Sequence, residues 1–417
     1  MTTQDVDPKT YYAVGKGLYE KAEKLYSAFD VNIKILQATG QMAGSDDAGT
    51  AWAASYDKRV GDVLGTVNDL IAAMQNYGGV VIQAGYNHAV AEHNATPGQK
   101  GPAPVKPDEP SVFAGCLAVP PSAGGSGKGL LDDAIGLVEQ IGVPVPDGDT
   151  DKIEKAADAW DRLATVHETT AIAEALDVDA RSFADTHSPE VDQITADLRA
   201  FGDATKSVLA GCAELSRSCT AYKSALDGLR NQLEGILKDL AVELAASAVI
   251  TIAASFVTFG VGALAGAAKA AQSIRKFARI IAEAIGAWKV EKNISKGVEA
   301  GEDLGKSRSF LQRALDKARR NTEEQKTKPP PRQGPDFEYN TRPERLDHTF
   351  ASKHKLDGVV ERAGSREEAM GQILDGLKGR VPNQGTFETV VNVSGENVTV
   401  RGFVDNGVIK VGTAFIP

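Results

Sequence analysis

Apolar residues recur at helical spacing through most of the chain. From Leu18 to Phe29 they follow one another at intervals of three or four positions, and after a glycine-containing stretch a second stripe runs from Trp52 to Met74. This spacing places each set on one face of a helix. We therefore predict an antiparallel pair of amphipathic helices within residues 1–95, in which each helix covers the apolar face of the other.

The helical pattern then stops and resumes. Residues 96–150 are rich in Pro and Gly, which indicates a linker and turn region. From Asp151 apolar residues again recur with the helical period, and Trp160 lies early in this pattern, as Trp52 does in the first. We predict a second helical bundle unit over residues 151–243, related to the first as a weak internal repeat.

An apolar stretch follows this second unit. No charged residue occurs between Glu243 and Lys269, and a helix needs about 20 apolar residues to cross a bilayer. Because Ala, Gly, Ser and Thr dilute the larger apolar residues, a buried helix and a conditional membrane contact through residues 244–268 both remain open. Charged helices are predicted to complete the segment 244–320, and a Pro-rich linker covers 321–334.

The last segment, residues 335–417, has a different period. Ser365, followed three positions later by Glu368, forms a capping box in front of a helix. Three β-branched runs of alternating polarity come next, separated by Ser394-Gly395 and by Asn406-Gly407. The chain is therefore predicted to be mainly α, with N-terminal helical hairpins or a bundle followed by a small C-terminal α+β domain of helices on an antiparallel sheet.

The composition excludes only a few classes of function. The net charge of −10 argues against a nucleic-acid coat for the protein as a whole. Three cysteines make neither a disulfide framework nor a zinc site, and no cluster of ligands predicts another metal or a cofactor. The N-terminus lacks the basic and apolar regions of a cleavable signal peptide, so we expect either a cytoplasmic protein or export by a route without one.

The stretch "RLDHTFASKHKLDG" concentrates imidazoles and ammonium groups just after the proline linker. His348 and His354 can donate or accept a proton near neutral pH, and Lys353 and Lys355 can hold a phosphate. This set suits metal-independent cleavage of RNA by its own 2′-hydroxyl. A solvated helix face explains the same residues, and both imidazoles can meet one substrate only if the helix bends between them, as it could at Ser352.

The pattern "LDHTFASKHKLDGVV", followed by a helix and "FETVVNVSGENVTVRGFVDNGVIKVGTAFIP", resembles the C-terminal toxin domains of bacterial polymorphic toxins. It is most similar to the barnase, EndoU, colicin and RelE-like ribonuclease superfamily. The resemblance implies a metal-independent ribonuclease, often directed at transfer RNA and neutralised by a cognate immunity protein. It also implies catalytic roles for His348, His354, Arg401 and Thr413, with Lys410 joining the two lysines in substrate binding.

The helical part carries a second resemblance. Its segments "AGTAWAASYD" and "AADAWDRLA" are similar to the WXG-type proteins of type VII secretion, over roughly residues 10–240. This resemblance implies export without a cleavable signal, as a paired helical bundle, and action in the cytoplasm of a target cell. It also implies a small WXG-type helical partner, which we expect to bind through the hairpins of Trp52 and Trp160.

The predicted function is thus a secreted antibacterial toxin with a C-terminal ribonuclease. Two alternatives remain open. The chain could be a non-enzymatic secretion adaptor or interaction protein, or it could carry an NAD glycohydrolase toxin on the same carrier. A glycohydrolase would need a pocket for nicotinamide and an acidic or Gln residue.

A geometric prediction concerns the last hairpin. A strict two-residue turn at Asn406-Gly407 with regular strands places Arg401 and Thr413 on opposite faces of the sheet, because strand side chains alternate. A three-residue loop with Gly407 as a bulge places them on one face. Because a common active-site cleft needs the shared face, we predict the bulged loop.

Overall fold

The computed structural model describes residues 6–95, 101–110, 115–125, 145–246, 267–294, 297–299, 301, 303–327 and 334–417. The chain divides into two compact units, Met1–Asn321 and Thr322–Pro417. The first unit is helical, and the second combines short helices with an antiparallel sheet. The predicted fold class, mainly α with a small C-terminal α+β domain, is confirmed.

Long helices build the first unit. Their N-termini are capped where the sequence offers an acidic residue, because the carboxylate accepts backbone N–H groups that have no partner within the helix. Asp7 accepts from the amide of Lys9 at 3.0 Å, and Asp149 accepts from that of Lys152 at 3.1 Å. The helices described here are α1 (Pro8–Gln37), α2 (Asp47–Ala95), α3 (Thr150–Thr165), α4 (His167–Arg181), α5 (Val191–Ala246), α6 (Ala267–Glu291) and α7 (Gly305–Thr327), the last of which extends past Asn321.

Helices α1 and α2 form the predicted hairpin, and glycines let their backbones touch. A Cβ added at Gly15 would lie 2.8 Å from the carbonyl oxygen of Gly78, and one added at Gly78 would lie 2.7 Å from that of Gly15. Any larger residue at either position would push the helices apart. The predicted apolar stripe of α1 is buried from Leu18 to Phe29.

The tryptophans of both predicted helical segments lie in one shared hydrophobic core. Trp52 stacks against Tyr56, with ring centroids 4.8 Å apart, and against Tyr222 of α5, at 4.4 Å. The indole N–H of Trp160 donates to the Tyr56 hydroxyl at 2.8 Å. Segments 1–95 and 151–243 therefore do not have separate cores. Because both indoles are buried within the chain, a secretion partner would not contact them directly.

The predicted membrane-contacting stretch, 244–268, lies almost entirely outside the residues that the structure describes. Among the helices that are described, none is both long enough and apolar enough to cross a membrane. Cys212 and Cys219 are buried, unpaired thiols in the core of the first unit. Burial raises the pKa of both thiols, which keeps them protonated and unreactive.

The second unit contains α8 (Pro335–Asn340), α9 (Pro343–Thr349), a 3-10 turn (Ser352–His354), α10 (Asp357–Ala363), α11 (Arg366–Leu377), β1 (Gly385–Val393), β2 (Glu396–Asp405) and β3 (Val408–Phe415). The three strands form a sheet with the order β1-β2-β3. Helix α11 packs on the sheet so closely that a Cβ added at Gly376 would lie 2.8 Å from Cβ of Val391. Ser365 caps this helix at the predicted position, since its hydroxyl accepts from the amide of Glu368 at 3.0 Å.

The turn between β2 and β3 has two residues, so the predicted three-residue loop is wrong. Asp405 pairs with Val408, and Asn406 and Gly407 have φ of 54° and 77°. Positive φ at both central positions is the type I′ turn that Asn-Gly favours, because its twist matches that of the strands.

A β-bulge further along the hairpin restores the shared face. The pairing runs from Gly402 with Val411 directly to Arg401 with Thr413, which leaves Gly412 as the extra residue. Glycine is required at position 402, because a Cβ there would lie 2.3 Å from the carbonyl oxygen of Lys410. Arg401 and Thr413 consequently point to the same side of the sheet, as predicted, although by a different route.

Candidate functional site

One face of the sheet is covered and the other is open. The covered face presents valines such as Val391, Val400 and Val411 to α11 and its neighbours, in the hydrophobic core of the second unit. The open face carries Glu388 and Arg401, which pair across β1 and β2, and Thr413, which pairs with Arg401 across β2 and β3. Residues that pair directly across strands share a face. A polar row therefore crosses the open face.

The first half of this row is an ion pair. The Arg401 guanidinium donates to both carboxylate oxygens of Glu388, at 2.8 and 3.4 Å, and lies 5.1 Å from the ring centre of Phe415. More than half of each charged side chain is exposed, 55% for Arg401 and 56% for Glu388. Exposed ion pairs contribute little to stability. The pair can therefore rearrange around a ligand at small cost.

His354 extends the row beyond the edge of β3. Its carbonyl accepts from the amide of Ile416 at 3.1 Å, which ties the 3-10 turn to the end of the last strand. Its Nδ1 lies 2.8 Å from the carbonyl oxygen of Thr349. Since a carbonyl can only accept, Nδ1 carries the proton and Nε2 presents a lone pair when the ring is neutral. Nε2 faces the Thr413 hydroxyl at 3.5 Å, the long limit of a hydrogen bond.

His348 lies beside His354. The two rings meet edge to face, with centroids 5.9 Å apart. The chain between them bends as the sequence required, because α9 ends at Thr349 and the 3-10 turn begins at Ser352. His348 is exposed, whereas His354 is half-buried. The condition for both imidazoles to reach one substrate is therefore met, and His354 is the one that contacts the row.

The three predicted lysines do not behave alike. Lys353 and Lys355 are exposed beside His354, and within residues 334–417 no hydrogen bond or ion pair links either of them to the row. Lys410 lies on the open face, where its ammonium group pairs with Asp405 at 2.7 Å. It also lies 5.4 Å from the ring centre of Phe403. Of the three, Lys410 is therefore placed to contact a ligand on this face.

Sequence reasoning missed Glu388. The available signal was the alternation of the β1 run, which puts Glu388 on the face opposite to Val391. In the part of the chain that the structure describes, no group of three His, Cys, Asp or Glu side chains is arranged to hold a metal ion. The row combines a carboxylate, a guanidinium, a hydroxyl and an imidazole of fixed tautomer. Such a set can stabilise a developing cation, bind an anion and accept a proton.

Part of the helical unit matches a known family. Residues 120–283 match the family model of the WXG100-like domain. The match includes Trp160 but not Trp52. It overlaps the second half of the predicted range, 10–240, and extends beyond it. It supports the resemblance to WXG-type proteins associated with type VII secretion.

Curated relatives come from mycobacteria. The chain is 27% identical over 230 residues to the outer membrane channel protein CpnT of Mycobacterium tuberculosis and of Mycobacterium bovis BCG, which covers 54% of this chain and 26% of each relative. It is 29% identical over 154 residues to the putative NAD(+)–arginine ADP-ribosyltransferase Mav of Mycobacterium avium, which covers 37% of this chain and 18% of that protein. The chain thus spans about a quarter of these relatives or less. No solved structure matches it.

These relatives overturn the predicted ribonuclease. The relative that is named for an enzymatic activity is named for chemistry on NAD+, and none of these relatives is named for cleavage of RNA. The error has a chemical cause. A histidine, a cation and a hydroxyl serve many displacement reactions, so these residue types alone do not define which bond is broken.

Proposed function

We propose that the chain is a secreted toxin-type protein whose helical unit serves export and whose C-terminal unit hydrolyses NAD+ at the nicotinamide N-glycosidic bond. The observation that carries this proposal is the open row of Glu388, Arg401, Thr413 and His354. It supplies the acidic residue that a glycohydrolase needs and that the sequence left unassigned. The similarity to a protein named for NAD+ chemistry supports the choice of substrate.

The chemistry follows from the charges in the row. When the bond between ribose C1′ and the pyridinium nitrogen breaks, its electron pair goes to nicotinamide, which leaves as a neutral molecule. Positive charge then develops on the ribose, and the Glu388 carboxylate can stabilise it. A water molecule adds to C1′ and gives its proton to Nε2 of His354, whose orientation is fixed by the Thr349 carbonyl.

Arg401 has a positioning role in this scheme. Its hydrogen bonds to Glu388 orient the carboxylate. Thr413, 3.5 Å from Nε2 of His354, is placed to hold the attacking water beside the imidazole. His348 adds a second imidazole next to the same position.

We assign the helical unit to export, and its WXG100-like region supports this role. A toxin of this kind requires protection of the producing cell, so we propose a cognate immunity protein that covers the open sheet face. A small WXG-type helical partner remains part of the proposal, and it would bind the outer surface of the helices rather than the buried Trp52 and Trp160.

The test measures nicotinamide release from NAD+ by the purified full-length chain, with Glu388→Gln as the variant. Glu396→Gln is a matched control, because Glu396 is also an exposed carboxylate paired with an arginine, Arg362 at 3.0 Å. We expect Glu388→Gln to lower kcat by about 10²-fold or more, while the control keeps the activity. Absence of NAD+ consumption by the unmodified chain would contradict the proposal. ADP-ribose found on arginine residues of added proteins would instead identify a transferase.

A further inference from the structure

The Tyr339 ring in the second unit is surrounded by cations. The guanidinium carbon of Arg345 lies 4.6 Å from the ring centre, that of Arg342 lies 5.3 Å away, and the ammonium nitrogen of Lys410 lies 5.2 Å away. Arg345 Nη2 also donates to the Tyr339 hydroxyl. We propose that this cluster of three cations, Arg342, Arg345 and Lys410, binds the pyrophosphate of the dinucleotide. The identity of this ligand rests on the proposed function.

Ion pairs within the described part of the protein involve only one of the three cations. Among the ion pairs that the described residues make, Lys410 with Asp405 at 2.7 Å is the one pair that involves any of the three cations. The aromatic face attracts the cations, but it carries no net charge. Among the described residues, Arg342 and Arg345 have no carboxylate within ion-pair distance, so both guanidinium groups are available to an anionic ligand.

The docking of helix α8 on strand β3 holds the cluster in place. Helix α8 docks on the edge of β3 through two polar side chains. The buried Asn340 accepts from the amide of Val411 at 2.8 Å and donates to the carbonyl of Ile409 at 2.7 Å, and the Asp336 carboxylate accepts from the amide of Ile409 at 2.7 Å. These bonds satisfy an edge strand that would otherwise be unpaired. They also fix the helix that carries Tyr339 beside Lys410.

The cluster adjoins the catalytic row. Lys410 pairs with Phe403 across β2 and β3, and Phe403 lies two residues from Arg401 on the same face of β2. Alternate residues of a strand are about 7 Å apart. In NAD+ one ribose separates the scissile bond from the nearer phosphate. An anion held at Lys410 would therefore direct that ribose toward Arg401 and Glu388.

The residue types fit a phosphate ligand in particular. Guanidinium groups bind phosphate oxygens through two parallel hydrogen bonds, while an ammonium group acts as a point charge. Arg342 is exposed, and Arg345 and Lys410 are half-buried, so all three can be reached from solvent. Sequence reasoning identified Lys410 alone, since the two arginines join it only through the docking of α8 on β3.

The test measures binding of inorganic pyrophosphate and of ADP-ribose to the full-length chain by isothermal titration calorimetry. Arg345→Gln and Lys410→Gln should each weaken both ligands by about tenfold or more, because hydrogen bonds between charged groups are among the stronger ones. Arg362→Gln and Lys378→Gln are the matched controls, since both cations are paired with carboxylates elsewhere in the unit. Arg342→Gln should also weaken both ligands, and because Arg342 is exposed this variant should fold normally.

The outcomes separate this inference from the proposed function. Weaker pyrophosphate binding in the cluster variants, with unchanged binding in the controls, supports the site even if Glu388→Gln has no effect on nicotinamide release. Equal weakening in the controls would show a response to net charge alone, and no binding of pyrophosphate by the unmodified chain would remove the site. If NAD+ is hydrolysed, the cluster variants should raise KM at nearly constant kcat. An unchanged KM would overturn the inference while the proposed function stands.

Discussion

Arg401 and Thr413 face each other directly across β2 and β3, because Gly412 is a bulge that has no partner on β2. If Gly412 instead paired with Arg401 in a regular ladder, Thr413 would lie opposite Val400 and point to the other face of the sheet. The bulge places the Thr413 hydroxyl next to His354 and in line with Glu388. Bulges are common next to active sites, where they redirect a side chain. The polar row therefore depends on the register that pairs Arg401 with Thr413, which is kept because Gly412 stays out of the ladder.

This dependence can be tested by deleting Gly412. The residues on either side of it, Val411 and Thr413, already pair with consecutive residues of β2, Gly402 and Arg401. Deletion should leave a regular ladder in which Thr413 still faces Arg401. We expect the variant to fold, with a melting temperature within about 5 °C of the parent, as for a change of about 1 kcal/mol, and to keep nicotinamide release.

Insertion of a second glycine after Gly412 is the contrasting variant. It moves Thr413 out of register with Arg401 and should abolish activity even where the chain still folds. Circular dichroism and thermal melting distinguish loss of the fold from loss of the site. Loss of activity on deletion, in a variant that remains folded, would contradict the role assigned to the bulge.

The two imidazoles should not contribute equally. His354 has its Nδ1 fixed by the Thr349 carbonyl and its Nε2 directed at Thr413, whereas the exposed His348 meets it only through the ring edge. His354→Ala should therefore lower kcat by about 10²- to 10⁴-fold, as expected for loss of a general base, and His348→Ala by a smaller factor. Steady-state release of nicotinamide measures both, with the exposed His167→Ala of the helical unit as a control. A larger effect at His348 would reverse the assignment.

Periodicity in the sequence was sufficient for the elements but not for the site. The stripe from Leu18 to Phe29 and the β-branched runs each report their own buried face, so both could be predicted locally. The bulge at Gly412 could not, because it depends on which residues of β2 lie opposite. The association of Tyr339 with Lys410 depends on α8 docking against a strand that lies about 70 positions later in the chain. Such contacts between distant segments leave no local periodicity to detect.

A buried hydrogen bond in the core of the helical unit should contribute to its stability. Trp160 is fully buried, and its indole N–H donates to the Tyr56 hydroxyl at 2.8 Å. Tyr56→Phe leaves that donor buried without its partner, which should lower the free energy of unfolding by about 1–3 kcal/mol. Denaturant unfolding of the full-length chain measures the change. Tyr86→Phe, at a half-buried position on the same helix, controls for the loss of a hydroxyl.

A double-mutant cycle with Trp160→Phe makes this prediction specific. Removing donor and acceptor together should cost less than the sum of the two single changes, because no buried polar group is then left without a partner. Additive effects would show that the Trp160–Tyr56 hydrogen bond does not stabilise the shared core of the two helical segments.

The last prediction concerns acid stability, and it rests on Glu190. This carboxylate accepts from the Tyr11 hydroxyl at 2.9 Å and from the Ser188 hydroxyl at 2.5 Å, and it pairs with His88 at 2.5 Å. Burial alone would raise the pKa of Glu190, but the hydrogen bonds from Ser188, His88 and Tyr11 outweigh it and lower the pKa to about 2. The contacts join α1, α2 and the segment that precedes α5.

The direction of the pH effect follows from that shift. Because the pKa of Glu190 is lower in the folded protein than the roughly 4.3 of an unfolded glutamate, its contribution to stability is complete above about pH 4.3. That contribution is lost as the pH falls toward 2. Since 36% of the side chain is exposed, solvent screening keeps the effect modest. Glu190→Gln should flatten the fall in melting temperature between about pH 5 and 2.5, whereas Glu174→Gln, at an exposed position of α4, serves as the control. An equally steep fall in the Glu190 variant would show that other carboxylates govern acid unfolding.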